Sequence, residues 1–461
     1  MQLIRHRPVV VKLLRLVGIA LLFLAVCYST LVNGFGAANW DEWDLWQIDS
    51  DAIVLNRVEA DLAGRDEGKL GLLREEGEEI GKVHQRIGII GFPDTPQSAA
   101  VKYVPYESMI GGQAHAISYI WRHTSCSTIS CFHVVNSALF AVVAVAMFVG
   151  IASLGSRGLA WAWIVSVIAS PWMAVAGRNL YWSPWLWFLP ALAAIALTRA
   201  RTIRWRSVAA AALFLAFAAK YLISGFEIFT SVTLLAAAMP LLAALMGGSN
   251  FGSWARQGWN VVIVGCASGL AFALALAFQA QLLAGSLAEG LKQIWVDAVL
   301  RRGYGNAEEF DPVYATSLQS SPVDVVLRYV TPEWWWRTDL LAFSVDWDGD
   351  LFSVSLGGSM FFWLILLSGG IVLARAIQGD HLWIRDASLL VIGFCVAVSW
   401  FIAAKGHSFI HTHVLFVLWY FLFVPAMLFV ISSFAWEKRH VIARMRSFSI
   451  DILLRGSSKL E

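Results

Sequence analysis

The stretch Asn39-Trp40-Asp41-Glu42-Trp43-Asp44-Leu45-Trp46 follows the first hydrophobic segment of the chain, residues 9–31. Three carboxylates fall within four positions and are surrounded by three tryptophans. Tryptophan prefers the headgroup level of a membrane, where one part of the ring is apolar and the other is wet. The stretch therefore predicts the point at which a membrane helix surfaces. Its carboxylates belong either to a solvated flank or to the edge of a site.

The composition of the whole chain supports this interpretation. Of 461 residues, 58% are hydrophobic and 14% are charged, which fits a polytopic membrane protein and no other class. The net charge of +2 gives no indication of a nucleic-acid partner. We expect an all-α polytopic membrane protein with a single transmembrane domain, residues 1–461, and about ten spans. The predicted spans are 9–31, 132–154, 159–177, 182–199, 207–225, 227–247, 259–284, 358–376, 387–404 and 412–434.

Lysine and arginine near the span ends predict the topology. If the ten spans alternate, the basic N-terminus, the cluster at 199–206, Arg375, Arg385 and the C-terminal tail all fall on one side. The positive-inside rule makes that side cytoplasmic and places both termini there. Two long segments, 32–131 and 285–357, then form extracytoplasmic loops. Apolar residues at helical spacing between 53 and 62 predict an amphipathic helix along the membrane surface, and Arg301-Arg302-Gly303 predicts a loop.

Several charged and polar residues gather on the same predicted outer side. A charge inside a span costs roughly 2.5–3.5 kcal/mol on insertion scales, so each one needs a reason. Arg178, Lys220 and Glu227 lie at outer span ends, and His407 and His411 lie in the outer turn between the last two spans. Structural explanations remain open: Lys220 pairing with Glu227, Arg178 reaching toward headgroups, and histidines that are ordinary loop residues.

Carboxylates beside cations at one membrane face suit the transfer of a sugar from a polyprenyl-phosphate donor to a hydroxyl acceptor. Cations hold the phosphate and its developing charge, and one carboxylate takes the proton of the acceptor. Direct displacement by the hydroxyl inverts the anomeric carbon. The candidate catalytic residues are Asp41, as the favoured base, Glu42 and Asp44. The candidate donor-phosphate contacts are Lys220, Arg178, Arg301 and Arg302. The candidate acceptor or accessory residues are Glu227, His407, His411, Tyr181 and Gln113.

The sequence predicts no metal centre, because His407, His411 and His413 lack the glutamate of a His-Glu-x-x-His motif. A divalent cation, Mg2+ or Mn2+, held by oxygens of Asp41, Glu42 and Asp44 stays open, although a lipid-phosphate leaving group does not require one. Cys126 and Cys131 lie five positions apart in a predicted outer loop, where bonded and free thiols both remain open.

The acidic pair Asp41-Glu42 directly after the first span resembles the GT-C superfamily of membrane glycosyltransferases, which includes protein O-mannosyltransferases and the aminoarabinose transferases of lipid A. Members place such a pair there, followed by surface helices in a long first outer loop. The stretches 106–113, Arg178-Asn179-Leu180-Tyr181-Trp182, 220–227 and 405–411 are similar to multi-spanning proteins of bacterial surface-polysaccharide clusters. The resemblance implies a polyprenyl-phosphate-linked sugar as donor and a glycan or lipid-linked glycan as acceptor.

Two other functions compete with this one. An O-antigen-type polysaccharide polymerase or ligase acts on lipid-diphosphate oligosaccharides and relies on Arg and His more than on an acidic residue after the first helix. A lipid or polysaccharide transporter usually has broken or charged helices near mid-membrane in paired halves. Here the polar residues gather at one face and no halves repeat, which favours an enzyme.

Overall fold

The computed structural model describes residues 7–62, 64, 70–74, 102–106, 109–126, 128–247, 251–331, 338–347 and 350–439. The helices before the late loop are α1 (Arg7–Val32), α2 (Trp40–Leu62), α3 (Gly112–His123), α4 (Ile129–Ser153), α5 (Arg157–Ala169), α6 (Pro171–Arg178), α7 (Trp185–Arg199), α8 (Ile203–Ser224), α9 (Phe229–Met246) and α10 (Phe251–Ala284). The late loop holds α11 (Leu287–Ile294), a π-helix (Trp295–Tyr304), 3-10 turns at Ala307–Glu309 and Pro312–Tyr314, α12 (Ala315–Gln319) and α13 (Pro322–Val330). The last helices are α14 (Met360–Ile377), α15 (Leu382–Ala403), α16 (Lys405–Ile410), α17 (Thr412–Leu415), a 3-10 segment (Phe416–Phe421) and α18 (Phe423–Arg439).

The helices agree with a multi-pass membrane protein. Seven helices in the described part of the chain are long and apolar enough to cross a membrane: α1, α4, α8, α9, α10, α14 and α15. Two further units are bent pairs, α5 with α6 at 72° and the segment Thr412–Phe421 with α18 at 48°. Helix α7 is apolar but has only 15 residues. Each predicted span overlaps one of these units, while the number and direction of the crossings stay predictions.

Two short hairpins depart from a purely helical chain. Strand β1 (Gly71–Arg74) pairs antiparallel with β2 (Lys102–Pro105) in the first loop, and β3 (Asp339–Trp347) pairs antiparallel with β4 (Asp350–Gly357) in the late loop. In β4, Phe352, Val354 and Leu356 alternate with serines at period two, a strand pattern that a search for apolar spans does not detect. Ser344 of β3 donates its backbone N–H to the carbonyl of Phe35, which ties this hairpin to the end of α1.

Helix α2 was predicted in part, as an amphipathic surface helix, and the structure changes its environment. Val54, Leu55 and Val58 pack with Leu70 and Ile117, the latter on α3. The polar residues on other sides of α2, including Asn56, Arg57 and Glu59, are also buried. The helix is therefore surrounded by protein along residues 51–60, and the interpretation as a helix lying on the membrane surface is wrong for this part.

The bend between α5 and α6 follows from the dipeptide Ser170-Pro171. Proline has no N–H to continue the hydrogen bonding of α5, and it is favoured as the first residue of the next helix. Ser170 Oγ accepts the N–H of Met173 at 3.2 Å and caps α6. The sharp turn brings Arg178, at the end of α6, and the following segment 179–184 beside α2 and α4.

Candidate functional site

A cavity of about 700 Å3 lies where one end of α9 meets the second half of α10, the late-loop helices and the end of α15. This is the predicted outer end of the bundle. Its walls are largely apolar and include Phe226, Phe229, Phe272, Leu276, Leu283 and Trp400. Its polar lining includes Tyr106, Glu227, Asp297, Arg301 and Arg302. One cavity thus joins a hydrophobic wall to a charged region.

Glu227 is the centre of the charged region. Its Oε1 accepts a hydrogen bond from the hydroxyl of Tyr181 at 3.1 Å. The hydroxyl of Tyr106 lies 3.2 Å from that of Tyr181. Nη1 of Arg302 lies 3.7 Å from the same Oε1, and Nε2 of His407 lies 3.8 Å from it. One carboxylate oxygen therefore joins residues from the segment after α6, the late loop and α16, and Tyr106 of the first loop reaches it through Tyr181.

The turn that carries Glu227 is held by Lys220. Gly225, which ends α8, has φ +69°, and Ile228, which precedes α9, has φ 55°, so the backbone on either side of Glu227 enters the left-handed region. The ammonium of Lys220 donates to the carbonyl oxygens of Ser224, Gly225 and Glu227 at 3.3, 2.7 and 3.1 Å. Lys220 is fully buried. Carbonyl dipoles compensate its charge, so Lys220 holds this turn, and the predicted phosphate contact stays a prediction.

Tyr181 is positioned by α2. Asp51 Oδ1 accepts the backbone N–H of Leu180 at 2.8 Å, and Oδ2 is hydrogen-bonded to Nε2 of His133 at 2.8 Å. Gln113 Nε2 donates to the carbonyl of Tyr181 at 3.1 Å. Sequence reasoning missed Asp51. The only signal it offered was an acidic residue inside a helix whose neighbours are apolar.

Burial sets the protonation of the groups around Glu227. Burial raises the pKa of the Tyr181 phenol well above its usual range, and Glu227 adds to the effect, so Tyr181 is a donor at neutral pH. Burial lowers the pKa of His407 well below its usual range, with His411 and the two arginines adding to it. Burial alone would lower the pKa of Arg302, but Tyr106 and Glu227 outweigh it and the net pKa is raised. The region therefore contains a permanent cation and a neutral imidazole.

Two other predicted residues, Arg301 and His411, lie close to the Glu227 region. Arg301 lies beside Arg302 on the cavity, and its Nε donates to the carbonyl of Asp297 at 3.3 Å. The pair belongs to the π-helix, so the loop predicted there is wrong. The run from Trp295 to Tyr304 is helical, and its backbone hydrogen bonds link residues five positions apart instead of four. The ring of His411 lies 4.5 Å from that of His407.

Arg178 lies elsewhere, with its guanidinium 3.9 Å above the ring of Trp43. Trp43 is buried against Ala174 and Val175 of α6. The first turns of α2 therefore lie beside Arg178. The side chains of Asp41, Glu42 and Asp44 lie outside the described part of the structure, so their predicted roles stay predictions.

A metal is not indicated by the groups whose side chains the structure describes. Among them, no cluster of three or more His, Cys, Asp or Glu residues is arranged to hold an ion. The acidic trio of α2 is not part of that set, so the predicted Mg2+ or Mn2+ stays a prediction. Cys126 and Cys131 form a disulfide between α3 and α4, which resolves the question left open by their spacing.

Comparison with known proteins adds no relative: no family model matches the chain, no curated protein is similar to it, and no solved structure resembles it. The functional argument therefore depends on the cavity, its lining residues and the sequence patterns.

Proposed function

We propose that the protein is a membrane glycosyltransferase of GT-C-like architecture. It moves a sugar from a polyprenyl-phosphate donor to a hydroxyl on a glycan or lipid-linked glycan at the extracytoplasmic face of a bacterial plasma membrane. The observation that carries the proposal is the outer cavity, in which an apolar wall built by spanning helices meets Arg301, Arg302 and Glu227. The basic loops on the opposite side support cytoplasmic termini and ten crossings.

The cavity suits an amphiphilic phosphate. Phe229 of α9 and Phe272 and Leu276 of α10 offer an apolar surface on which a prenyl chain from the bilayer can pack by van der Waals contact. Arginine binds phosphate through paired N–H donors and stays charged at any physiological pH. A lipid phosphate whose chain lies against α9 and α10 would present its headgroup to Arg301 and Arg302.

The reaction needs few groups. The acceptor oxygen forms a bond to the anomeric carbon while the bond from that carbon to the phosphate oxygen breaks, and polyprenyl phosphate leaves. The proton of the acceptor hydroxyl goes to a carboxylate, for which Asp41 is proposed, with Glu42 and Asp44 as the next choices. Glu227 is already bonded to Tyr181 and faces Arg302, so we assign it to holding the guanidinium in place.

A second candidate function is a polysaccharide polymerase or ligase that uses a lipid-diphosphate oligosaccharide. The specific observation in its favour is that Arg301, Arg302, His407 and His411 gather around Glu227, a set of arginines and histidines that does not depend on α2. In that reaction the essential groups would be the cations, and Asp41 would be dispensable.

The experiment that separates the two functions is a transfer assay in proteoliposomes. The purified chain, Asp41→Asn and Arg301→Gln/Arg302→Gln are each offered polyprenyl-phosphate sugars and, separately, a lipid-diphosphate oligosaccharide. Arg204→Gln/Arg256→Gln, on the predicted cytoplasmic side, is the control for loss of two arginines, and gel filtration checks folding. Loss of a general base costs about 100-fold to 10,000-fold, so we expect turnover of the lipid-phosphate sugar to fall by at least 100-fold in Asp41→Asn.

Three outcomes are informative. The glycosyltransferase is supported if wild type transfers the sugar with inversion at the anomeric carbon and folded Asp41→Asn loses this turnover. Consumption of the lipid-diphosphate oligosaccharide alone, unaffected by Asp41→Asn but abolished in the arginine double variant, supports the polymerase or ligase. If no lipid-linked sugar is consumed and bound lipid exchanges between leaflets, the protein is a transporter.

A further inference from the structure

A second cavity, of about 650 Å3, lies at the other end of the bundle. It is formed where α5 begins, α9 ends and α15 begins, and its lining includes Arg157, Leu245, Met246, Trp254, Arg385 and Phe429. Helix α9 runs from the first cavity at Phe229 to this one at Met246, so the two are separated by the length of a spanning helix. The positive-inside bias makes this end cytoplasmic. The proposed reaction does not use it.

The charge on the cavity lining is positive. Arg157 is the first residue of α5, is exposed, and forms no ion pair with any residue in the described part of the chain. Arg385, in the first turn of α15, reaches the same cavity. Its Nη2 lies 2.7 Å from Oδ1 of Asp386, but Asp386 is fully buried and does not line the cavity.

The acidic groups behind this wall, buried Asp386 and half-exposed Glu437, are also paired with a second cation, Arg375. Asp386 is also paired with Arg375, which bonds Glu437 at 2.6 Å. Neither Asp386 nor Glu437 lines the cavity. Arg375 is also shared with Asp380, and Arg385 is largely neutralised by Asp386, so the guanidinium of Arg157 supplies most of the charge that a ligand meets. The first turns of two helices add N–H groups that favour an anion.

The rest of the lining is apolar. Leu245 and Met246 come from the end of α9, and Phe429 comes from α18. Trp254, 38% exposed near the start of α10, is the residue type that prefers the headgroup level. A soluble anion would gain nothing from these groups, whereas a phosphodiester that carries acyl chains would contact both the arginines and the apolar wall.

We propose that this cavity binds the phosphate headgroup of an anionic phospholipid from the cytoplasmic leaflet. Basic pockets between spanning helices on that side are suited to such headgroups. Arg157 supplies the main charge, Arg385 a second contact, and the wall of Leu245, Met246 and Phe429 accommodates the upper part of an acyl chain. The ligand stabilises the junction of α5, α9 and α15 and has no part in sugar transfer.

The test uses the full-length chain in nanodiscs of phosphatidylcholine with increasing fractions of phosphatidylglycerol, and native mass spectrometry counts the phosphatidylglycerol molecules retained after release. Arg157→Gln is compared with Arg157→Lys and with Arg204→Gln. Arg204 is the matched control, because it is also an exposed arginine in the first turn of a helix on the predicted cytoplasmic side but does not line the cavity. Loss of one arginine that directly contacts an anionic headgroup, at about 1 kcal/mol, weakens retention by about fivefold.

We expect Arg157→Gln to retain phosphatidylglycerol about fivefold more weakly than wild type, Arg157→Lys to lose less, and Arg204→Gln to match wild type. Equal retention in wild type and Arg157→Gln overturns the proposal, as does an equal loss in Arg204→Gln, which would indicate general surface charge. Inorganic phosphate in excess forms a separate arm. If it displaces the lipid and binds the lipid-free protein with the same dependence on Arg157, the ligand is soluble phosphate and the lipid assignment is wrong.

Discussion

The contact between Arg302 and Glu227 is the main electrostatic interaction of the outer cavity, and paired substitutions measure its strength. Nη1 of Arg302 lies 3.7 Å from Oε1 of Glu227, and the two side chains are 18% and 16% exposed. At this distance two unit charges attract by roughly 4 kcal/mol at an effective dielectric constant of 20 and by roughly 1 kcal/mol in water. Because both groups line a cavity that solvent can enter, we expect a coupling free energy of about 2 kcal/mol between these limits. His407 adds no second cation at neutral pH, since burial lowers its pKa.

The assay is a double-mutant cycle on the purified chain. The free energy of unfolding is measured by SDS titration in mixed micelles for wild type, Glu227→Gln, Arg302→Gln and the double variant, and the coupling is the departure from additivity. Glu227→Gln combined with Arg204→Gln, on the predicted opposite side, is the control pair and should be additive within about 0.5 kcal/mol. A coupling for Glu227 and Arg302 that is no larger than that of the control pair would refute the ion pair. That result would also refute the role of Glu227 in holding the guanidinium of Arg302.

Three further predictions concern the groups that support the site. Asp51→Ala removes the acceptor of the Leu180 N–H and the partner of His133, so SDS titration should show a loss of about 2–4 kcal/mol in the free energy of unfolding. Asp51→Asn keeps an acceptor oxygen and should lose less. Equal losses in the two variants would contradict this. Lys220→Met leaves three carbonyl oxygens without their donor, at a cost of about 3 kcal/mol or more. We therefore expect gel filtration to show little folded protein. A wild-type elution profile would argue against the positioning role. The pKa of His407 is lower in the folded protein than its unfolded value of about 6.5. Below about pH 6.5 the unfolded chain binds a proton at His407 that the folded protein does not bind, so His407 lowers the free energy of unfolding. Above about pH 6.5 the residue is neutral in both states and has no such effect. SDS titrations at pH 5 and 7 should therefore show a smaller acid loss in His407→Gln than in wild type.

The long apolar helices could be predicted from sequence because the signal is local. About twenty apolar residues in a row are enough to indicate a spanning helix, and each of the ten predicted stretches overlaps a helix or a bent pair. Alternation of the spans also grouped Glu227, His407 and Arg302 on one side before any contact was known. These three residues do meet at the outer cavity.

The roles of individual residues were less predictable because they depend on contacts between distant parts of the chain. Lys220 bonds backbone carbonyls only because the turn after α8 takes positive φ at Gly225 and Ile228, which its charge does not reveal. Asp51 positions Leu180, 129 residues away. The π-helix that presents Arg301 and Arg302 was not predicted, because Arg301-Arg302-Gly303 taken alone is typical of a loop.

The two bent helix pairs affect the order in which contacts form during synthesis of the chain. The indole N–H of Trp163 donates to the carbonyl of Phe421, and that of Trp172 donates to the carbonyl of His413, at 3.1 and 2.6 Å. Both donors lie around the Ser170-Pro171 bend, and their acceptors are 258 and 241 residues further along the chain. At 5–20 residues per second, the ribosome takes roughly 10 to 50 s to reach these acceptors. During that time the early helices lack these two bonds, so the contact of α5 and α6 with residues 413–421 forms only after residue 421 has been synthesised. A nascent chain stalled before residue 413 would lack both bonds, and the indole N–H groups on either side of the Ser170-Pro171 bend would be without these acceptors.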